Sequence, residues 1–177
     1  MALLVFNALG FQLVWWGWAL GVPRGEWGVP TVLSLAFLLA HARFAHRSDP
    51  ARRRADLRCV LACVVVGAAA DTALMQMGWL HFALPNPAPL DGVQPLWMLL
   101  LWACMGCTFH HSLAWLRQWP RLALPLSGAF GWLAYDAAAW WGALSRDGGA
   151  LSALALFVFW ALFVPGVQRW SARPATA

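Results

Sequence analysis

Six apolar stretches, separated by short polar connections, run along the chain. Most hold roughly 20 mostly apolar residues, the length that an α-helix needs to cross the hydrocarbon core of a bilayer. The pattern predicts an all-α membrane protein: a bundle of six transmembrane helices in one integral membrane domain, residues 1–177. The predicted helices cover residues 2–20, 28–44, 59–80, 95–116, 122–144 and 150–167.

The composition supports lipid as the solvent for these helices. Hydrophobic residues make up 62% of the chain and charged residues 11%, whereas soluble domains carry about 25% charged residues. A soluble fold of this length could not hide so much apolar surface, because small domains bury only about two-thirds of their chain surface. Several of the fourteen tryptophans, such as Trp18, Trp97 and Trp170, lie near predicted helix ends. Tryptophans form belts there in membrane proteins.

The arginines predict an orientation. All twelve basic residues are arginine, and the net charge is +5. If six helices alternate, ten arginines in residues 43–58, 117–121 and 169–173 share one side, and only Arg24 and Arg146 lie opposite. The positive-inside rule then places the N-terminus and the C-terminus on the cytoplasmic side of a bacterial inner membrane. Because the basic residues flank apolar spans, the expected partners are membrane lipids and not nucleic acid.

Polar side chains fall near the middle of the predicted helices. Asp71 lies in the third helix and Asp136 in the fifth, and charged side chains at such depth usually face the bundle interior. Gln12 and Tyr135 lie at a similar level, so the four side chains could converge on one polar site. No arginine is predicted at this depth, so neither aspartate is expected to have a cationic partner. A second polar level nearer the cytoplasm holds Asn7, His110, His111 and Ser112.

Small residues recur every four positions on two of these helices, which predicts that both stripes face inward. Small residues let helices approach closely in lipid. One stripe carries Asp71 on the third helix and the other ends at Tyr135 on the fifth. The stripes comprise Cys59, Cys63, Gly67, Asp71 and Met75, and Ser127, Gly131 and Tyr135.

The polar residues support two interpretations. They could only hydrogen-bond between helices, or they could form a site that binds a ligand or relays a proton. For the second interpretation, the candidate catalytic residues are Asp71, Asp136, His110 and Tyr135. The candidate ligand-binding residues are Asn7, Gln12, Asp71, His111, Tyr135 and Asp136. The sequence identifies no cofactor.

The cysteines and histidines form a weaker pattern. Cys104, Cys107 and His111 share one face of the predicted fourth helix, and such ligands could bind zinc or copper. Cysteine is also an ordinary small buried residue, and no second ligand cluster accompanies the three, so no metal site is predicted. His41 and His46 lie among arginines at the cytoplasmic end of the second helix, where a solvated interface is expected.

Short motifs along nearly the whole chain resemble those of a known family. They are Asn7, Phe11, Gln12 and Trp15; Asp71; residues 95–98 with Leu101 and Trp102; residues 112–116; and Gly128, Ala129, Gly131, Tyr135, Gly142 and Ala143. Together they resemble an uncharacterised bacterial inner-membrane family, domain of unknown function 2878. The resemblance implies a small multi-helix inner-membrane protein and brings no activity. The chain departs from the expected pattern at Trp132, in place of a proline, and at His111, in place of a small polar residue.

Three functions fit these observations. The protein could bind or transform a lipid or another apolar small molecule between its aromatic helices. It could instead be a non-catalytic structural or accessory membrane subunit, since no P-loop, G-x-S-x-G or H-E-x-x-H motif indicates a reaction. A proton-coupled transporter with so few helices would need a homo-oligomer, and no inverted repeat is visible. Whether the protein is an enzyme stays open.

Overall fold

The computed structural model describes residues 2–45 and 49–172, and six α-helices lie within these ranges, as predicted. Short connections join them, including two 3₁₀ turns and one small β-ribbon. The helices are α1 (Ala2–Gly21), α2 (Gly28–Phe44), α3 (Pro50–Gln76), α4 (Leu96–Gly106), α5 (Pro120–Trp140) and α6 (Gly149–Ser171). The strands are β1 (Leu80–Phe82) and β2 (Leu144–Arg146).

Three helical stretches within the described ranges are long and apolar enough to cross a membrane. They are Leu3–Arg24, Pro50–Gln76 and Gly149–Ser171, whereas α2 and α4 are apolar but shorter. Large apolar side chains such as Leu39 and Phe130 also cover much of the outer surface of the bundle. An exterior of this kind suits contact with lipid, because soluble proteins rarely expose large continuous apolar surfaces.

The third helix begins nine residues before its predicted start. Asp49 is its N-cap, since its carboxylate accepts a hydrogen bond of 3.0 Å from the backbone N–H of Arg52. Pro50 occupies the first helical position, where its missing N–H costs nothing. The prediction of residues 59–80 was wrong at this end because it followed apolar residues only, whereas the polar start of α3 is fixed by its cap. Asp56 therefore lies on a helix.

Two glycines stop α3 and α5 before their predicted ends at residues 80 and 144. Gly78 and Gly142 have φ values of 70° and 82°, in the left-handed region that glycine adopts without penalty. The chain leaves both helices into short strands, and β1 pairs antiparallel with β2. The connections after α3 and α5 thus meet in one ribbon.

The fourth helix ends at Gly106, ten residues earlier than predicted, and turns follow to Gln118. Two buried side chains satisfy the backbone of this broken segment. The Asn7 amide donates to the Cys107 carbonyl at 3.0 Å. The Gln168 amide donates to the carbonyls of Phe109 and Leu113 at 2.8 and 3.0 Å. Non-helical backbone inside a membrane bundle is tolerated where protein groups satisfy it in this way.

Glycine allows close helix packing at several points in the core, two of them against tryptophan rings. A Cβ atom on Gly67 would lie 2.2 Å from the Trp102 ring, and one on Gly131 would lie 2.0 Å from the Trp160 ring. Both glycines belong to the predicted small-residue stripes. The inward orientation of those stripes is confirmed, because every member except the half-buried Met75 is buried.

One tryptophan near a predicted helix end does not belong to a surface belt. Trp18 is 1% exposed, and its ring stacks on that of Trp97 with centroids 5.1 Å apart. Its Nε1 donates to the Ser34 hydroxyl at 2.9 Å, which satisfies the polar atom inside the bundle. The hydrogen-bond partner on α2 explains why this indole is buried, because a buried N–H needs an acceptor.

Candidate functional site

Asp71 lies inside the bundle and accepts hydrogen bonds from two aromatic side chains. The Tyr135 hydroxyl on α5 donates to one carboxylate oxygen at 2.5 Å. The Trp102 Nε1 on α4 donates to the other at 2.8 Å. Asp71 is only 1% exposed, so the prediction that it faces the interior is confirmed. The structure also brings Tyr135 to it, as expected.

The two donors form part of an aromatic wall. The Trp102 ring stacks on that of Trp160 with centroids 5.1 Å apart and an angle of 16° between planes. Phe163 contacts the Trp102 ring edge-on. Trp102, Tyr135 and Trp160 line a cavity, whereas Asp71 is not among its lining residues. Asp71 therefore holds the wall from behind and does not itself face the cavity.

The cavity lies among α1, α4, α5 and α6 and has a volume of about 600 Å³. This is within the range of about 300–1,000 Å³ that is usual for small-molecule sites. Its lining is mostly apolar and includes Leu9 on α1 and Phe130 and Leu133 on α5. These three side chains are 60%, 65% and 47% exposed, more than the wall of an enclosed cavity would allow. The cavity is therefore open sideways, between α1 and α5, the helices that carry them.

Two of the residues that line the cavity carry a buried polar atom without a hydrogen-bond partner among the described residues. These atoms are the Ser127 hydroxyl and the Trp160 Nε1. Because buried polar groups in proteins are almost always paired, both atoms would gain from a further partner. The Gln12 amide lies at the exposed side of the same cavity, where solvent or a ligand can pair with it.

Asp136 lies apart from this cluster. Its carboxylate forms an ion pair with Arg146 of β2, and its side chain is 37% exposed. The expectation that Asp136 has no cationic partner was wrong, because the ribbon after α5 folds Arg146 back onto the end of that helix. Of the four residues expected to converge, Gln12 and Tyr135 share the cavity and Asp71 contacts Tyr135. Asp136 does not line the cavity.

The second predicted polar level separates into different contacts. Asn7 accepts hydrogen bonds from the backbone N–H and the hydroxyl of Ser112 at 3.2 and 2.7 Å. Because Asn7 is fully buried and also bonds Cys107, its polar atoms serve the broken segment after α4. His110 instead approaches the Ser171 hydroxyl on α6 through its Nε2 at 2.9 Å. These contacts place Asn7 and His110 away from Asp71.

A second buried cluster joins His41 of α2, Asp56 of α3 and His111 of the segment after α4. The Nε2 atoms of His111 and His41 lie 2.9 and 3.4 Å from the same carboxylate oxygen of Asp56. One donor atom from each residue lies within 4.8 Å of the other two. All three residues are buried. Of the expected ligand-binding residues, only His111 belongs to this cluster.

The apolar pattern of the sequence did not predict this cluster, although one local signal for it was present. The Asp49–Pro50 pair marks the true start of α3 and would have placed Asp56 inside the helix. The expected solvated interface at His41 was wrong, because α3 and the segment after α4 cover its ring, which is 8% exposed. His46 lies outside the described residues.

The cysteines do not share the face that was considered for a metal. Because α4 ends at Gly106, His111 is not on one helix with Cys104 and Cys107. Cys104 contacts the Ser34 carbonyl through its Sγ at 3.7 Å. Within residues 2–45 and 49–172, the one group of three neighbouring metal-binding side chains is His41, Asp56 and His111.

Comparisons with known proteins support the family but add no activity. Searches of the curated proteins and of the solved structures return no match. The sequence profile of one family matches residues 4–166, which is most of the chain. These residues include both buried carboxylates and the whole lining of the cavity. The chain therefore belongs to the family described as proteins of unknown function, DUF2878.

Proposed function

We propose that this chain is a multi-pass protein of the bacterial inner membrane that binds a lipid or another apolar small molecule. The observation that carries the proposal is the sideways-open apolar cavity, whose lining residues include two with an unpaired polar atom. A mouth between α1 and α5 would let a ligand enter from the bilayer without passing through water. A purely structural bundle would be expected to fill such a space with side chains, because protein interiors are close-packed.

The lining defines the chemistry of the ligand. Aromatic and aliphatic side chains make most of the wall and suit an acyl or isoprenoid chain. The Ser127 hydroxyl can donate or accept a hydrogen bond, and the Trp160 Nε1 can only donate. A ligand with an oxygen-containing group, such as a hydroxyl or carbonyl, would suit either atom. Gln12 at the mouth could bind the same group during entry or a second polar end.

The Asp71 carboxylate has a positioning role in this proposal. Tyr135 and Trp102 contact the cavity, and their polar atoms are directed to Asp71 and not to the ligand. Because these hydrogen bonds fix the two rings before a ligand binds, binding loses less side-chain conformational entropy. Any chemistry on the ligand would then use the unpaired groups, Ser127 and Gln12, more directly than Asp71.

A mass-spectrometric experiment tests the binding proposal. Ala134 lines the cavity, so Ala134→Phe should fill part of it and lower the amount of co-purified lipid, measured by native mass spectrometry, at least about fivefold. Ala36 is exposed on α2 away from the cavity, so Ala36→Phe is the matched control and should keep the lipid. Wild-type protein without any co-purified ligand, or equal lipid in both variants, would favour the accessory-subunit interpretation.

We also propose that the chain crosses the membrane six times, with both termini in the cytoplasm. The arginine distribution supports this orientation. Pairing of β1 with β2 supports it further, since it joins the connections after α3 and α5 at one end of the bundle. A reporter fusion at residue 177 should show cytoplasmic activity, and one at Asp91 should show periplasmic activity. A periplasmic signal from the first fusion would contradict the even number of crossings.

A further inference from the structure

His41, Asp56 and His111 come from three separate segments, yet their side chains meet at one point. Both imidazole Nε2 atoms lie against the same carboxylate oxygen, at 3.4 Å for His41 and 2.9 Å for His111. We propose that these three residues bind a divalent first-row transition-metal ion, of the class of Zn²⁺ or Fe²⁺. This site is separate from the cavity, since none of the three residues lines it.

The distances fit coordination of one ion. Two ligand atoms that are each about 2.1 Å from a metal lie roughly 3.0 to 3.4 Å apart in octahedral or tetrahedral geometry. The two distances to the Asp56 oxygen match these separations. All three donor atoms lie within 4.8 Å of one another, so small side-chain rotations would complete the arrangement.

The state of the His41 ring is a second, independent observation. Only 8% of the His41 side chain is exposed. Neither ring nitrogen has a hydrogen bond with good geometry to any described residue. A buried imidazole is normally paired. Its Nε2 points at the cluster without completing a hydrogen bond, and a metal ion there would give this atom a partner.

The ligand set selects the kind of ion. Imidazole nitrogen suits zinc, iron, copper and nickel, and two histidines with one carboxylate form a common set for Zn²⁺ and Fe²⁺. Magnesium and calcium prefer sites built wholly from oxygen. The three described ligands are one fewer than the four of structural zinc sites, so a water molecule, a substrate or a further protein group would complete the coordination.

The backbone holds the third ligand in place. His111 belongs to the broken segment after α4, which Asn7 fixes at Cys107 and Ser112. Gln168 holds the same segment at Phe109 and Leu113. Because side chains from α1 and α6 fix the backbone on both sides of His111, its ring needs little further ordering to bind an ion.

Cobalt titration of the full chain tests the site. Protein purified in detergent without a histidine tag is first treated with chelator and then titrated with Co²⁺, whose visible absorption reports coordination. We expect one equivalent to bind. Glutamine substitution of a ligand, His41→Gln or His111→Gln, should weaken cobalt binding at least about 100-fold. Loss of a residue that only hydrogen-bonds to a metal ligand already weakens metal binding by up to about 100-fold, so loss of the ligand itself should cost at least as much.

His81 provides the matched control, since it also lies 3.2 Å from an aspartate, Asp147, but at an exposed position. His81→Gln should leave the cobalt affinity unchanged. Absence of stoichiometric binding to the wild type would overturn the proposal. So would wild-type affinity in both His41→Gln and His111→Gln.

X-ray absorption spectroscopy of the zinc-loaded wild-type protein measures the metal–ligand distances directly. It tests the site even if a ligand variant fails to fold. Nitrogen and oxygen ligands should give distances of about 2.0 to 2.2 Å with no sulfur contribution. A shell at about 2.3 Å would show cysteine coordination instead and would overturn the assignment to His41, Asp56 and His111. The measurement needs no substitution, so it is independent of the stability of any variant.

Discussion

Two buried carboxylates lie in the described part of this bundle, and their partners differ in chemistry. Asp71 receives hydrogen bonds from an indole and a phenol, which keep their protons near neutral pH. Asp56 lies against two imidazoles, which can give up the proton on Nε2 and act as acceptors or metal ligands. One carboxylate therefore has fixed donors, and the other has partners that can change role.

The difference separates positioning from binding. The partners of Asp71 have aromatic rings on the cavity wall, so this carboxylate orients a surface that another molecule would contact. The Nε2 atoms of the two histidines beside Asp56 converge on one oxygen of its carboxylate. A buried acid inside a membrane bundle thus does not indicate one function by itself, and the chemistry of its neighbours decides which function it can serve.

Removing each carboxylate should show this contrast most strongly. Asp71→Ala leaves two obligatory donors unpaired and opens a void, so it should lower the free energy of unfolding by about 3–5 kcal/mol. Asp56→Ala opens a void of the same kind but should cost less, about 2–3 kcal/mol. Of the two neighbouring imidazoles, only His111 lies at hydrogen-bond distance from Asp56, whereas the His41 nitrogens already have no partner of good geometry. Denaturant titration in detergent, with chelator present, measures both values.

Equal losses for the two alanine variants would remove this contrast. That outcome would mean that the imidazoles depend on Asp56 as strongly as Trp102 and Tyr135 depend on Asp71. Alanine in place of Ser145, an exposed residue of the β-ribbon, provides a baseline for the method, since surface substitutions usually change stability by less than about 0.5 kcal/mol.

The aromatic wall should be the next most sensitive feature. A Cβ on Gly131 would overlap the buried Trp160 ring, so Gly131→Ala should cost about 1–3 kcal/mol through overpacking. Gly166 on α6 has nothing within 4 Å of its Cβ position, and the same substitution there should stabilise the helix by about 0.5–1 kcal/mol. Thermal unfolding followed by tryptophan fluorescence compares the two. Destabilisation of similar size at both positions would contradict the packing argument.

The parts of the fold that depend on neighbouring residues in the sequence could be predicted. Six apolar stretches were enough to find six helices, and four-residue spacing was enough to identify the buried faces of α3 and α5. The start of α3 could also have been predicted from the sequence, because the Asp49 cap and Pro50 are local signals. The glycines at positions 78 and 142 similarly mark where α3 and α5 end.

The candidate sites depend on partners far apart in the sequence. Local signals at the end of α4 are weak: they are Gly106 itself and the Thr108 hydroxyl, which donates to the Met105 carbonyl at 2.7 Å. The side chains that satisfy the broken backbone beyond it, Asn7 and Gln168, belong to the first and last helices. The cluster around Asp56 needs this same break, since it turns His111 toward α3. Hydrophobic periodicity carries no information about such long-range hydrogen bonds, so neither the break nor the cluster could be derived from it.

A conservative change at Asp71 sharpens the comparison further. In Asp71→Asn the amide oxygen can accept from Trp102, and the amide nitrogen can donate to the Tyr135 oxygen, since a phenol also accepts. The Tyr135 proton then loses its acceptor, so the expected loss is about 1 kcal/mol, less than for alanine. Denaturant titration of both variants tests the order. A loss as large as that of alanine would show that the negative charge, and not the hydrogen bonds, stabilises this part of the bundle.

The same substitution at Asp136 should have the smallest effect of the series. Asp136 pairs with Arg146, and the side chains are 37% and 16% exposed, so solvent screens the pair in part. Exposed ion pairs contribute about 0–1 kcal/mol, and the asparagine oxygen can still accept a hydrogen bond from Arg146, so Asp136→Asn should stay within that range. Whatever loss is seen should shrink near 1 M salt, where the screening length is only about 3 Å. The loss at Asp71→Asn should persist in the same buffer, because its hydrogen bonds are buried. A salt-independent loss at Asp136 larger than that at Asp71 would reverse the order and would place the more important carboxylate at the end of α5.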